Sequence, residues 1–204
     1  PQDAVIQTDT GAEVLNFCAN NYLGLSSHPK LIAAAKEGLD SHGFGMSSVR
    51  FICGTTDLHK ELEQKIANFF GTEDTILYAA CFDANGGLFE TLLSEEDAVI
   101  SDELNHNCII NALRLSRPKD KKIYKHLDMK ELDNRVKESI HEAKRLIIVT
   151  DGIFSMRGDY APLDIISEIS SKYDQEFPEN IILVVDDSHG IGAYGKTGRG
   201  TEEI

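Results

Sequence analysis

The sequence predicts an α/β fold: a mostly parallel sheet with helices on both faces. Three observations carry that expectation. Apolar runs of strand length recur from about residue 75 onward, amphipathic stretches of helical period separate them, and polar residues follow each run abruptly. Leu146-Ile147-Ile148-Val149 and Ile181-Ile182-Leu183-Val184-Val185 are continuous and rich in β-branched side chains, the pattern of strands buried on both faces.

Before the alternation begins, residues 14–18 are expected to form a short strand, with a polar turn after it. Ser27-His28-Pro29 starts a helix, because proline is favoured in the first helical turn. Leu31, Ile32, Ala35 and Leu39 give that helix its apolar face, and Gly43 ends it. Residues 43–55 are a glycine- and serine-studded loop, of the kind that connects elements or lines a site. A second helix is capped at Thr56 or Asp57, carries Leu58, Leu62, Ile66 and Phe69 on one face, and stops at Gly71.

Regular alternation follows. Strands are expected over 75–78, 98–101, 122–124, 146–150 and 181–185. Between them lie helices over 83–93, 106–115 and 163–173, and one that begins at Asp128 with Leu132, Val136 and Ile140 on a face.

Composition narrows the partners. The 204 residues carry a net charge of -14, which argues against a nucleic-acid partner, since that needs a basic face. No apolar run approaches the ~20 residues that cross a bilayer, so no membrane partner is expected. The first residues have neither the basic start nor the apolar stretch of a signal peptide. Cys18, Cys53, Cys81 and Cys108 are widely spaced, which fits reduced thiols and gives no metal-finger pattern. A cytoplasmic location is expected, or the mitochondrial matrix if the source is eukaryotic.

Polar groups gather at the strand ends: Cys81-Phe82-Asp83, Asp102 with His106, Asp151 with Ser155, and Asp186 with His189. Any one of these reads as a cap or turn. Four together, at the edge where open α/β sheets bind ligands, point to a site.

The last strand and its tail support several chemistries. Gly190, Gly195, Lys196 and Thr197 match the phosphate-loop pattern, and Gly190, Gly192 and Gly195 match the dinucleotide pattern. Both lack context. Asp186 to His189 separate the strand from the first glycine, and no helix start follows Thr197. A metal site built from Asp186, Asp187 and His189, completed by Asp102 and His106, has no tight ligand spacing behind it. An organic cofactor with a ring nitrogen fits better. A carboxylate at a buried strand end holds a pyridinium proton, a histidine three residues on reaches a ring hydroxyl, and main-chain N–H groups at a helix start bind phosphate. Pyridoxal 5′-phosphate needs that set of partners.

The chain closely resembles the α-oxoamine synthases of the fold-type I pyridoxal-phosphate enzymes. The residues that carry the resemblance are 16–25, His42-Gly43-Phe44-Gly45-Met46, 49–55, Cys81-Phe82-Asp83-Ala84-Asn85-Gly86-Gly87, Leu104-Asn105-His106, Asp151-Gly152-Ile153-Phe154-Ser155-Met156 and Asp186-Asp187-Ser188-His189. It implies the large domain of an aspartate aminotransferase-like fold, incomplete here, with residues 1–50 as an N-terminal segment and 51–204 as the first part of the cofactor-binding domain. Asp186 would pair with the pyridine nitrogen, His189 with the ring 3′ oxygen, and His106 would stack on the ring, these three being the catalytic set. Ser155 would add a contact near the ring oxygen, the amides of Cys81 and Phe82 would bind the phosphate, and Asn20 would take the substrate carboxylate. No metal is implied. Ala80 stands where family members usually have serine, which leaves more of the phosphate grip to the main chain.

Motifs 42–55 and 81–87 favour the members that condense glycine with acetyl-CoA to 2-amino-3-ketobutyrate and CoA, the reverse of which degrades threonine. Relatives that use another amino acid and thioester are the alternative, and a nucleotide-binding protein using the Gly190–Thr197 loop is the alternative from another class. The resemblance also implies a homodimer with the site shared between subunits. The family's Schiff-base lysine lies beyond the Asp186–His189 motif, so the sequence is expected to be an N-terminal piece without that lysine or the small C-terminal domain, and inactive alone.

Overall fold

The computed structural model describes residues 4–204. The chain divides into two units, Pro1–Thr75 and Ile76–Ile204.

In the first unit, β1 (Val5–Gln7) pairs antiparallel with β2 (Glu13–Leu15), Val5 lying opposite Leu15. The expected strand over 14–18 is cut short because the Asn16 side chain accepts the Cys18 amide at 3.1 Å, a local turn that competes with a ladder. Helix α1 (Pro29–His42) starts and stops where expected, with His28 Nδ1 accepting from the Lys30 amide and Gly43 at φ 80°. None of its residues is buried, so its apolar face over Leu31, Ile32 and Leu39 is exposed. Every described residue of the β1–β2 ribbon except Ile6 is itself exposed, so the ribbon offers no apolar layer.

Helix α2 (Asp57–Phe70) opens on a reciprocal cap between Thr56 and His59 and closes on Gly71 in the left-handed region. Its buried residues are Glu63 and Ala67, whereas Leu58, Leu62 and Phe69 are exposed. Buried Glu63 is tolerated because Arg50 Nη2 and Lys60 Nζ donate to its two oxygens at 2.7 and 2.6 Å. Those two cations hold the carboxyl down at about 2, and the Arg50 pair fastens the glycine-rich loop to the helix.

The second unit is the α/β body. Strands β3 (Ala98–Asp102), β4 (Asp120–Tyr124), β5 (Leu146–Asp151) and β6 (Ile181–Asp186) form one parallel sheet in the order β4-β3-β5-β6. Helix α3 (Cys81–Leu92) leads into the sheet, and α4 (Asn107–Leu115), α5 (Met129–Ser139) and α6 (Leu163–Tyr173) fill the connections between its strands. Alternate strand residues sort onto two faces. Val99, Ile147 and Val149 pack with Phe89, Ile109, Ala112 and Leu113 of α3 and α4. Ala98, Ile100, Leu146 and Ile148 pack with Leu132, Val136, Ile166 and Ile169 of α5 and α6. Helices therefore cover both faces, as expected.

Two further expectations need correction. Residues 75–78 take part in no strand, because strand-forming side chains still require a neighbour to hydrogen-bond and no described strand pairs with them. Strand β6 is half-buried along its whole length rather than buried on both faces, since among the described residues it is an edge and only β5 pairs with it. Among the described residues, no helix is long and apolar enough to cross a membrane.

Candidate active site

Strand order creates the site. The chain leaves β3 for β4 on one side and returns to β5 on the other, so a crevice opens beyond the carboxyl ends of β3 and β5. At that edge Asp151 and Asp186 are register partners at the last positions of β5 and β6. A cavity of about 70 Å³ lies between them and the starts of α3 and α4. Cys81, Phe82, His106, Ser155, Asp186 and His189 all line it, joined by Cys108, Asp151 and Ser188. The structure thus gathers six expected site residues from four places in the sequence. Asn20 belongs to the first unit, where its Oδ1 accepts from the Tyr22 hydroxyl at 3.3 Å.

Asp186 is heavily hydrogen-bonded. Its Oδ1 accepts from the amide and hydroxyl of Ser188 at 3.1 and 2.6 Å. Its Oδ2 accepts from Asn85 Nδ2 at 2.8 Å and from the thiols of Cys81 at 3.2 Å and Cys108 at 3.8 Å. Burial pushes the carboxyl upward, but donors from Ser188, Cys81 and Asn85 outweigh it and hold the group below the usual range. Among the described residues, no lysine or arginine pairs with it.

Asp151 behaves oppositely. It is 4% exposed, and burial followed by the neighbouring Asp186 charge pushes its carboxyl up to about 7. Its Oδ2 accepts the His106 amide at 2.8 Å, and its own amide donates to Asn105 Oδ1 at 2.8 Å. Asn105 in turn donates to Ser101 Oγ and the Val149 carbonyl, both at 2.9 Å. That network fixes His106 as the cap of α4, with its Nδ1 taking the Cys108 amide. The two thiols are donors here rather than nucleophiles: burial lifts Cys81 to about 11 and moves Cys108 the same way.

At the third corner, Ala80 caps α3 with no side-chain hydrogen bond. The first-turn amides and the positive end of a 12-residue helix are left to attract an anion. The donor set fits pyridoxal 5′-phosphate: an ionised carboxylate without a counter-cation for the ring nitrogen, hydroxyl and imidazole groups for the ring oxygen, and helix amides for the phosphate.

Competing readings fit worse. The amides that a phosphate loop would offer are taken internally, since Glu203 accepts from the amide and hydroxyl of Thr197 at 2.9 and 2.7 Å and from the Arg199 amide at 3.2 Å. Asp187 does not line the cavity: its Oδ2 accepts the Thr201 amide at 2.8 Å, closing the loop from below. Asp102 also faces elsewhere, binding His126 Nδ1 at 3.0 Å, and His126 Nε2 reaches Asp159 at 3.1 Å. Among the described residues, no cluster of three His, Cys, Asp or Glu groups is placed to hold a metal ion.

Sequence reasoning did not assign roles to Asn85, Asn105, Cys108 or Ser188. Asn105 and Ser188 sit beside assigned residues and were within reach, but Asn85 acts on a carboxylate 101 positions away, which spacing cannot reveal.

The aminotransferase class I and II family matches residues 12–202. The chain is 57% identical over 203 residues to 2-amino-3-ketobutyrate coenzyme A ligase of Escherichia coli, covering 99% of this chain and 49% of that protein. It is 47% identical over 191 residues to 8-amino-7-oxononanoate synthase 1 of Bacillus velezensis, covering 94% of this chain and 47% of that protein. In three dimensions it matches a serine palmitoyltransferase from S. paucimobilis with a bound PLP–myriocin aldimine, at TM-score 0.87 and 29% identity, over 98% of this chain and 50% of that one. The chain spans about half the length of the relatives it matches.

Proposed function

The chain belongs to the aminotransferase class I and II family, and from that membership we propose that the full-length protein uses pyridoxal 5′-phosphate to condense glycine with acetyl-CoA, giving 2-amino-3-ketobutyrate and CoA. One observation carries the cofactor assignment: the ionised Asp186, with which no lysine or arginine pairs among the described residues, shares a single cavity with His106, Ser155, His189 and the first turn of α3. The choice of substrates is supported by the higher identity to 2-amino-3-ketobutyrate coenzyme A ligase than to 8-amino-7-oxononanoate synthase.

When bound, the cofactor supplies an electron sink for the pair left behind as glycine loses its Cα proton. Asp186 holds a proton on the ring nitrogen, since an anion in a partly dry pocket favours the charged ring. The Cys81 and Phe82 amides bind the phosphate. Ser155 and His189 hold the ring oxygen, and His106, set by Asp151 and Asn105, covers the ring face and excludes water. Asn20 takes the carboxylate of glycine. The reactive protein is a homodimer, located in the cytoplasm or the mitochondrial matrix, and in the cell the reverse reaction serves threonine breakdown.

Thiol release from acetyl-CoA by the full-length protein tests the reading. CoA is expected only when glycine and pyridoxal phosphate are both present, and far faster than from pimeloyl-CoA with alanine. Preference for the pimeloyl pair would move the protein to the other acyl specificity. Stabilisation by ATP without any response to pyridoxal phosphate would overturn the cofactor assignment.

A further inference from the structure

Asn85 stands one turn into α3, four residues after Cys81, and is 5% exposed. Its Nδ2 donates to Asp186 Oδ2 at 2.8 Å and lies 3.5 and 3.3 Å from the sulfurs of Cys81 and Cys108. Thiols are weak donors. Among the described residues, Asn85 is therefore the one strong donor on Oδ2, while Ser188 serves Oδ1.

The chemistry of that donor matters. An amide N–H stabilises a carboxylate without neutralising it. A lysine or arginine in the same place would satisfy the negative charge and compete with a proton on a ring nitrogen. Together with Ser188 and Cys81, Asn85 keeps Asp186 ionised and leaves its charge unspent. The same helix presents the uncapped first-turn amides at Cys81 and Phe82, so one rigid element contacts both ends of the cavity.

We propose that Asn85 is a positioning residue for the reaction, holding the ionised Asp186 carboxylate toward the ring nitrogen of the cofactor and tying it to the helix that takes the phosphate. The assignment rests on the cofactor reading above and adds a residue to it. Asn85 does not touch substrate; it acts through Asp186.

The test uses full-length protein in the native form and as Asn85→Leu, which keeps the branched shape and removes the donor, and Asn85→Ala, which removes the donor and is small enough to pack in the same space. Ring-¹⁵N-labelled pyridoxal phosphate reports the protonation of its nitrogen by chemical shift. A ¹³C-carboxyl label on aspartate follows Asp186 in protein free of cofactor. In both variants the ring nitrogen is expected to lose its proton at lower pH than in the native protein, and the Asp186 carboxyl to titrate higher. Turnover is expected to fall about 10- to 100-fold, the usual cost of losing a group that orients a charged ligand, with KM for acetyl-CoA unchanged. Native-like ring protonation, Asp186 titration and turnover in either folded variant would overturn the proposal. A native protein whose ring nitrogen is unprotonated would instead overturn the role given to Asp186, so the two failures are distinguishable.

Discussion

Asp151 and Asp186 are register partners at the ends of β5 and β6, yet their carboxyls are pushed in opposite directions, Asp151 up to about 7 and Asp186 below the usual range. Two like charges side by side in a partly buried place do not ionise together easily. The donors decide which keeps its proton. Asp186 collects two from Ser188, one from Asn85 and two from thiols, whereas the Asp151 carboxylate receives the His106 amide. Separation of this kind is how one pocket holds an acid beside an anion.

Replacing Asp151 by asparagine tests that division. The native carboxyl is raised from 3.8 to about 7, so the stability it contributes is present below pH 3.8 and is lost as pH rises through about 7. Melting temperature of the cofactor-free full-length protein is therefore expected to fall between pH 5 and pH 8 by more in the native form than in Asp151→Asn. The asparagine still accepts the His106 amide through its carbonyl, so the fold stays intact. Identical slopes in the two proteins would place the proton elsewhere.

His106→Ala removes the imidazole that caps α4 beside the cavity. Weaker uptake of pyridoxal phosphate and an altered absorption band of the bound cofactor are expected, measured by titration of the full-length protein. An unchanged band and affinity would take His106 away from the ring.

Phe89→Ala probes the layer that carries the site. Phe89 is fully buried on α3 against the face of the sheet that also packs α4. The substitution is expected to cost about 3–5 kcal/mol, the range for emptying a buried aromatic site. Denaturant unfolding measures it, and a loss under about 1 kcal/mol would mean that α3 is not anchored through this ring.

Glu203→Ala strips three hydrogen bonds from the turns at Thr197 and Arg199. The loop is expected to loosen, read as faster proteolysis between residues 190 and 204, with no gain in ATP binding. Tight ATP binding by the variant would restore the phosphate-loop reading that Glu203 excludes.

The α/β body was legible because its signals are local. Leu163–Tyr173 shows the helical period, and Leu146–Val149 is apolar without interruption, so element type followed directly. The first unit was less so. A three-residue strand such as Val5–Gln7 leaves too short a pattern, and the apolar stripe of α1 names a face without naming what covers it. At the site, Asp186, His189 and Ser155 were readable as odd residues at strand ends. Asn85 was not, because it looks like any polar residue on a helix until the fold brings it 2.8 Å from Asp186.

The central claim is that Asp186 is the anion on which pyridoxal-phosphate chemistry depends here. It is tested most directly by the rate of CoA release from acetyl-CoA and glycine in the full-length protein and in Asp186→Ala. The variant is expected to fold with native circular dichroism and to lose at least about 10²–10³ of the rate, the cost of deleting a preorganised electrostatic partner. A folded Asp186→Ala protein that releases CoA at the native rate would contradict the account.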